Sequence, residues 1–289
     1  MPAVLRVVCD SNVFTPQDFD VIDRSPMREL CARGRIVPIY SGTFIDELAW
    51  AYSREKARAD LLTHWLPFVI ETGAGFHEHL PVVWHRELVQ GLGVKASTFM
   101  DARQRQNIIE AFKGARADGS WDLVAEARSD RERDLERLRA QREMSKDIRA
   151  EIADAVRSRS LASAHRTVPR RVREKLELDF GRDVIERLVA PENGLAVFDR
   201  WQRSRKSYRY FDQFVANMIY KQVLFATDGA APIDLNAQPD LDLMTFLLDA
   251  DAFVTNEQGF ARRAFDDLWR PKGKAIFTSE EFAAFLHRL

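Results

Sequence analysis

The stretch Asp240 to Phe260, DLDLMTFLLDADAFVTNEQGF, decides the fold. Two carboxylates, Asp240 and Asp242, open it. A short apolar segment follows, then Ala252-Phe253-Val254-Thr255, which has the length and composition of a buried strand. Asn256 and a third carboxylate, Glu257, come directly after. A helix, a strand and then an acid at the strand's carboxyl end is how open α/β sheets present ligand groups.

The N-terminus carries a matching half. Val4 to Cys9 (VLRVVC) is short, apolar and rich in β-branched residues, as expected of a strand buried on both faces of a parallel sheet. It ends in Asp10-Ser11-Asn12, residue types that also serve as turns or helix caps. Arg28 to Arg33 reads as the end of a helix closed by Gly34, and Ile36 to Tyr40 (IVPIY) as a second strand. Ser41-Gly42-Thr43 offers N-caps for a helix through Trp50. That helix carries Glu47, which falls at the level of Asp10 if the two strands are parallel neighbours. Near the C-terminus, Ala275 to Thr278 (AIFT) reads as the last strand, with Ser279 capping a final helix.

Between these halves the composition changes. From Arg128 to Arg187 there are 17 Lys/Arg against 13 Asp/Glu, so the segment has a mild local excess of positive charge. Partial helical spacing of Leu135, Leu138, Ile148, Ile152 and Val156 predicts long amphipathic helices. Such a charged face is either solvated or grips a phosphate backbone. The candidate nucleic-acid contacts are Arg170, Arg171 and Arg173, then Arg205, Lys206 and Arg209, interleaved with Tyr208. Aromatics among basic residues suit single-stranded nucleic acid, where bases stack and phosphates are neutralised. The His77-Glu78-His79 triplet is a weaker metal-site candidate, because no fourth spaced ligand accompanies it.

Bulk properties narrow the class. The chain has 289 residues and a net charge of -1, so any attraction to nucleic acid must be local. Two cysteines without a CxxC cannot build a disulfide framework, and no apolar run reaches transmembrane length. The expectation is a cytoplasmic protein without membrane contact. Neither a Gly-rich phosphate loop nor a GxSxG elbow is present.

The order of acids resembles that of the PIN-domain nuclease family. VVCDSNVF is similar to that family's strand ending in Asp-x-Asn, and IYSGTFIDELAWAY to its strand followed by a Glu-bearing helix. DLDLMTFLLDADAFVTNEQGF is similar to its late acid, helix, strand and Thr-x-Asp element, and KAIFTSEEFAAFL to its closing strand and helix. The resemblance implies an α/β fold with a central, mainly parallel sheet flanked by helices. On this reading residues 1–84 and 206–289 are the two halves of the domain, and 85–205 are a large charged helical insertion. It also implies an Mg²⁺- or Mn²⁺-dependent endoribonuclease acting on single-stranded or structured RNA and leaving a 5′-phosphate. The catalytic and metal-ligating set is Asp10, Glu47, Asp240, Asp242 and Glu257, with Asn12 and Thr255 orienting them and Ser11 and Ser41 as weaker candidates. The chain departs from the pattern at Thr255-Asn256-Glu257, where Glu stands in place of Asp, and Asp240 competes with Asp242 for one role. The alternative is a PIN-like fold used as a weakly active or inactive RNA-binding or protein-interaction scaffold. The helical insertion would then serve a protein partner or a second copy of the chain.

The chemistry is intelligible from the residues alone. Carboxylates forced together repel and rise in pKa unless a cation neutralises them. Hard oxygen donors suit Mg²⁺ or Mn²⁺. Such an ion can activate water for in-line attack on a phosphodiester. A phosphatase that opens with strand-then-Asp would carry a second Asp two residues on, where this chain has Asn12.

Overall fold

The computed structural model describes residues 4–54, 59–73, 76–90, 100–118, 170–189, 193–227 and 236–289, with isolated positions 133, 136, 139, 140, 143 and 168. The charged run from Arg128 to Arg166 therefore lies almost wholly outside the described residues. Two compact units are present: Met1–His79 with Thr98–Glu132 and Gln238–Leu289, and Leu80–Ser97 with Arg133–Ala237.

The helices in chain order are α1 (Pro16–Asp23), α2 (Met27–Ala32), α3 (Gly42–Arg54), α4 (Ala59–Thr72), α5 (Leu80–Gln90) and α6 (Ala102–Asp118). They continue with α7 (Arg170–Val184), α8 (Gly194–Arg203), α9 (Arg209–Thr227), α10 (Ala237–Thr245), α11 (Phe260–Leu268) and α12 (Ser279–Leu286).

The first unit is built on a five-stranded sheet of β1 (Leu5–Cys9), β2 (Ile36–Ser41), β3 (Phe76–His77), β4 (Ala252–Val254) and β5 (Ala275–Phe277). Every pairing is parallel, and the strand order is β3-β2-β1-β4-β5. The chain thus runs outward from β1 through β2 to β3, and the later strands β4 and β5 extend the sheet on β1's other side. The order reverses between β1 and β4, and a crevice outside the strand ends at such a reversal is where open α/β sheets bind ligands.

The sequence explains these elements. Val7, Val8, Phe253 and Val254 are at most 1% exposed, which is why β1 and β4 read as continuous apolar runs rather than alternating ones. Phe253→Ala would cost about 3–5 kcal/mol. Gly34 follows α2 with φ +65°, a conformation that glycine adopts without steric cost and that lets the chain turn into β2. Ser41 ends β2, and its hydroxyl accepts the N–H of Phe44, capping the start of α3 as expected. At the other end, Thr278 and Glu281 form a reciprocal capping box that starts α12.

The second unit is helical within the described residues. Trp84 stacks near Phe214 with ring centres 5.2 Å apart, and Trp201 meets Phe211 edge-on at 5.2 Å. Gly181 on α7 allows this packing, because a Cβ there would fall 2.3 Å from the Trp201 ring. Glu87 on α5 is buried, and its Oε2 accepts the N–H groups of Tyr210 and Phe211 at the start of α9. It satisfies donors that a helix N-terminus leaves open.

Candidate metal centre

Asp10 stands at the carboxyl end of β1 and is 3% exposed. Its backbone N–H donates to Val254 O at 2.9 Å, so it is fixed directly beside the end of β4. Its side chain is held from three directions. Thr255 Oγ1 and Asn12 Nδ2 each donate to Oδ2 at 2.7 Å, and the Asn12 N–H donates to Oδ1 at 3.3 Å. Asn12 Nδ2 also lies 2.9 Å from Thr255 Oγ1, so the two orienting residues brace each other. Both were expected to orient ligands, and both touch Asp10.

Glu257 follows two residues after Thr255, and its N–H donates to Thr255 Oγ1 at 3.1 Å. Asp240 lies in the first turn of α10 and is 3% exposed. Oxygen atoms of Asp10, Asp240 and Glu257, one from each, all lie within 4.8 Å of one another. Burial raises the Asp10 carboxyl to about 6 despite the bonds from Thr255 and Asn12, and the nearby Glu257 charge pushes the same way. A cation among the three would relieve both costs. The donor set is all carboxylate oxygen, which fits a hard divalent ion such as Mg²⁺ or Mn²⁺.

Asp242 does not join this group. It is half-buried, and its Oδ1 accepts from Gln238 Nε2 at 2.6 Å, one turn back on α10. Two residues apart on a helix are about 200° apart around the axis, so only one of the pair can face the site. Glu47 is buried in α3, on the helix that follows β2, and β2 is the parallel neighbour of β1. Its carboxylate lies outside the three-acid group.

The His-x-His candidate resolves into two separate roles. His77 is buried edge-on to Phe246 at 5.5 Å, and burial lowers it to about 4, so it is a neutral ring. His79 bonds Asp46 at 2.9 Å, which raises its pKa. Among the described residues neither belongs to a three-ligand group. Cys9 precedes Asp10, and burial pushes its thiol well up, so it offers no thiolate nucleophile.

The basic residues of the second unit are partly committed internally. Arg170 pairs with Glu174, Arg173 with Glu177, and Arg205 with both Glu177 and Asp212. Arg205 also lies over the Trp201 ring at 5.3 Å. Tyr208 is fully buried and presents no ring for a base to stack on. Arg171, Lys206 and Arg209 are exposed.

Asn256 is the residue of this region whose part the sequence reading leaves unassigned. Its N–H donates to Asn12 Oδ1 at 2.9 Å, its Nδ2 donates to Ser279 Oγ at 2.8 Å, and its Oδ1 accepts the Ser279 N–H at 2.8 Å. It therefore ties the β4 end to both Asn12 and the start of α12. The signal was its position, an amide side chain directly after a buried strand.

Comparison of the chain with protein-family models, curated proteins and solved structures gives no match. Among the described residues no helix is long and apolar enough to cross a membrane.

Proposed function

We propose that this chain is a divalent-metal-dependent endoribonuclease of PIN-like type, with Asp10, Asp240 and Glu257 as its ligand set. The observation that carries the reading is the convergence of these three carboxylates, drawn from β1, α10 and the end of β4, at the point where strand order reverses. Mg²⁺ or Mn²⁺ bound there supplies the Lewis acidity that activates water and stabilises charge on a phosphodiester. Asp10 is the central ligand, and Thr255 and Asn12 fix its orientation. Glu47 and Asp242 are left out of the ligand set. RNA is the proposed substrate. A cytoplasmic setting goes with an RNA substrate and with two unpaired cysteines.

A second reading, a cation-binding scaffold with weak catalysis, is favoured by one observation: Glu47 lies outside the tight group, so three acids rather than four converge. Titrating the full chain with Mn²⁺ separates the readings from a fold with no metal function. Wild type binds Mn²⁺ and melts at a higher temperature in its presence, whereas Asp10→Asn does neither. Absence of binding to wild type removes the metal mechanism. Binding without release of 5′-phosphate ends from single-stranded RNA leaves the scaffold.

A further inference from the structure

Gly181 and Val184 are buried on α7, and Ile185 follows them inward. On a continuous α-helix residue 188 shares their face, lying seven, four and three residues further on. Here a π-helical turn, Ile185–Val189, continues α7 instead. Its wider winding carries the inward direction on to half-buried Val189 and turns Leu188 out, 66% exposed. Leu195, the second residue of α8, is 67% exposed. The two segments touch, because a Cβ on Gly194 would fall 3.2 Å from the Glu186 Cα. α5 packs against both segments and exposes Val89 at 59%. These three are the most exposed large apolar side chains among the described residues. Scattered singly they would need no explanation, but on three touching elements they mark an interaction surface.

We propose that Leu188 and Leu195, with Val89 on the adjoining helix, form the face on which a second copy of this chain docks across a twofold axis. Charge selects this occupant. The π turn exposes Glu186 and Arg187 side by side, one of each sign, and Arg187 already pairs with Asp183 at 2.6 Å. A phosphate backbone or an anionic membrane surface calls for an excess of Lys and Arg, which this patch lacks. A partner of one strong charge sign gains little for the same reason. A copy of the same patch fits, because a twofold contact sets each residue against the partner's surface in both directions. One copy's Glu186 then meets the partner's Arg187 around the apolar centre. The chain's net charge of -1 opposes the approach of a second copy only weakly. The π turn has its explanation in this contact: it gives up burial of Leu188 within one chain and presents the side chain to another. This interface does not depend on the proposed metal function.

Analytical ultracentrifugation of the full chain over about a 100-fold concentration range is the test, since association follows mass action. Wild type is expected to approach twice the protomer mass as concentration rises and to dissociate on dilution. Leu188→Glu and Leu195→Glu should each weaken self-association at least ~10-fold, because each carries an unpaired charge into the contact. Leu188→Ala, which adds no charge, should weaken it in the same direction. Melts of these variants at the lowest concentration should match wild type, because neither leucine is buried within the single chain. Val172→Glu, an exposed position near the other end of α7, should dimerise as wild type does. Wild type that stays monomeric throughout overturns the proposal. So does a wild-type dimer that survives in both leucine-to-glutamate variants, or one that Val172→Glu weakens as much as they do.

Discussion

Thr255 Oγ1 donates to Asp10 Oδ2 at 2.7 Å across 245 residues of sequence. Thr255 has no exposed surface and Asp10 almost none, so the bond is made where water cannot replace it. Asn12 supplies the second donor to the same oxygen. Together they leave the carboxylate little rotational freedom.

Thr255→Val keeps the shape and removes the hydroxyl. It leaves the Glu257 N–H and one Asn12 donor without their acceptor, and a buried polar group left unmet costs about 1–3 kcal/mol. Chemical denaturation should show a loss of that size. Mn²⁺ affinity should fall about 10–100-fold, because the ligand's orientation is lost while the ligand remains. A variant with wild-type stability and affinity would mean that the bond does not organise the site.

Glu87 predicts a pH dependence in the second unit. Burial raises its carboxyl from 4.5 to about 7, against the lowering effect of the Phe211, Tyr210 and Arg209 N–H groups. The folded state then holds a proton that the unfolded state has released. Its contribution is fully present below pH 4.5 and is lost as pH rises through 7, a change on the order of 3 kcal/mol. Glu87→Gln removes the titration. Denaturation of wild type and variant across pH 4 to 8 should show wild type losing stability relative to the variant as pH rises, and parallel profiles would contradict the assignment.

Two glycines predict opposite signs. Gly181→Ala drives a Cβ into the Trp201 ring, and overpacking of this kind costs about 1–3 kcal/mol. Gly114 lies within α6, and a Cβ there meets nothing within 4 Å. Gly114→Ala should stabilise by roughly 0.5–1 kcal/mol, because alanine loses less backbone freedom on folding. Thermal melts of the two variants, moving in opposite directions, check both.

Much of the sheet was legible in the sequence because its strands are buried on both faces. VLRVVC, IVPIY, AFVT and AIFT are apolar runs ended by polar breaks, and each coincides with an observed strand to within one residue at either end. β3 was not legible, since two residues, Phe76 and His77, carry no periodicity. The choice between Asp240 and Asp242 depends on the phase of α10 against the sheet, and packing rather than spacing sets that phase. The basic cluster illustrates a different limit. Composition places Arg205 and Tyr208 side by side, but only tertiary contacts show that Tyr208 is core and that Arg205 is held by Glu177 and Asp212. The link from Asn256 to Ser279 spans two elements and leaves no pattern in either one.

Cleavage of end-labelled single-stranded RNA by wild type and by Asp10→Asn, in Mn²⁺ and again in EDTA, tests the central claim most directly. Wild type is expected to cleave in Mn²⁺ and leave 5′-phosphate ends, EDTA to abolish cleavage, and Asp10→Asn to be at least ~100-fold slower, since a central charge-stabilising group has been removed. Cleavage that persists in EDTA, or that survives Asp10→Asn at the wild-type rate, would contradict it.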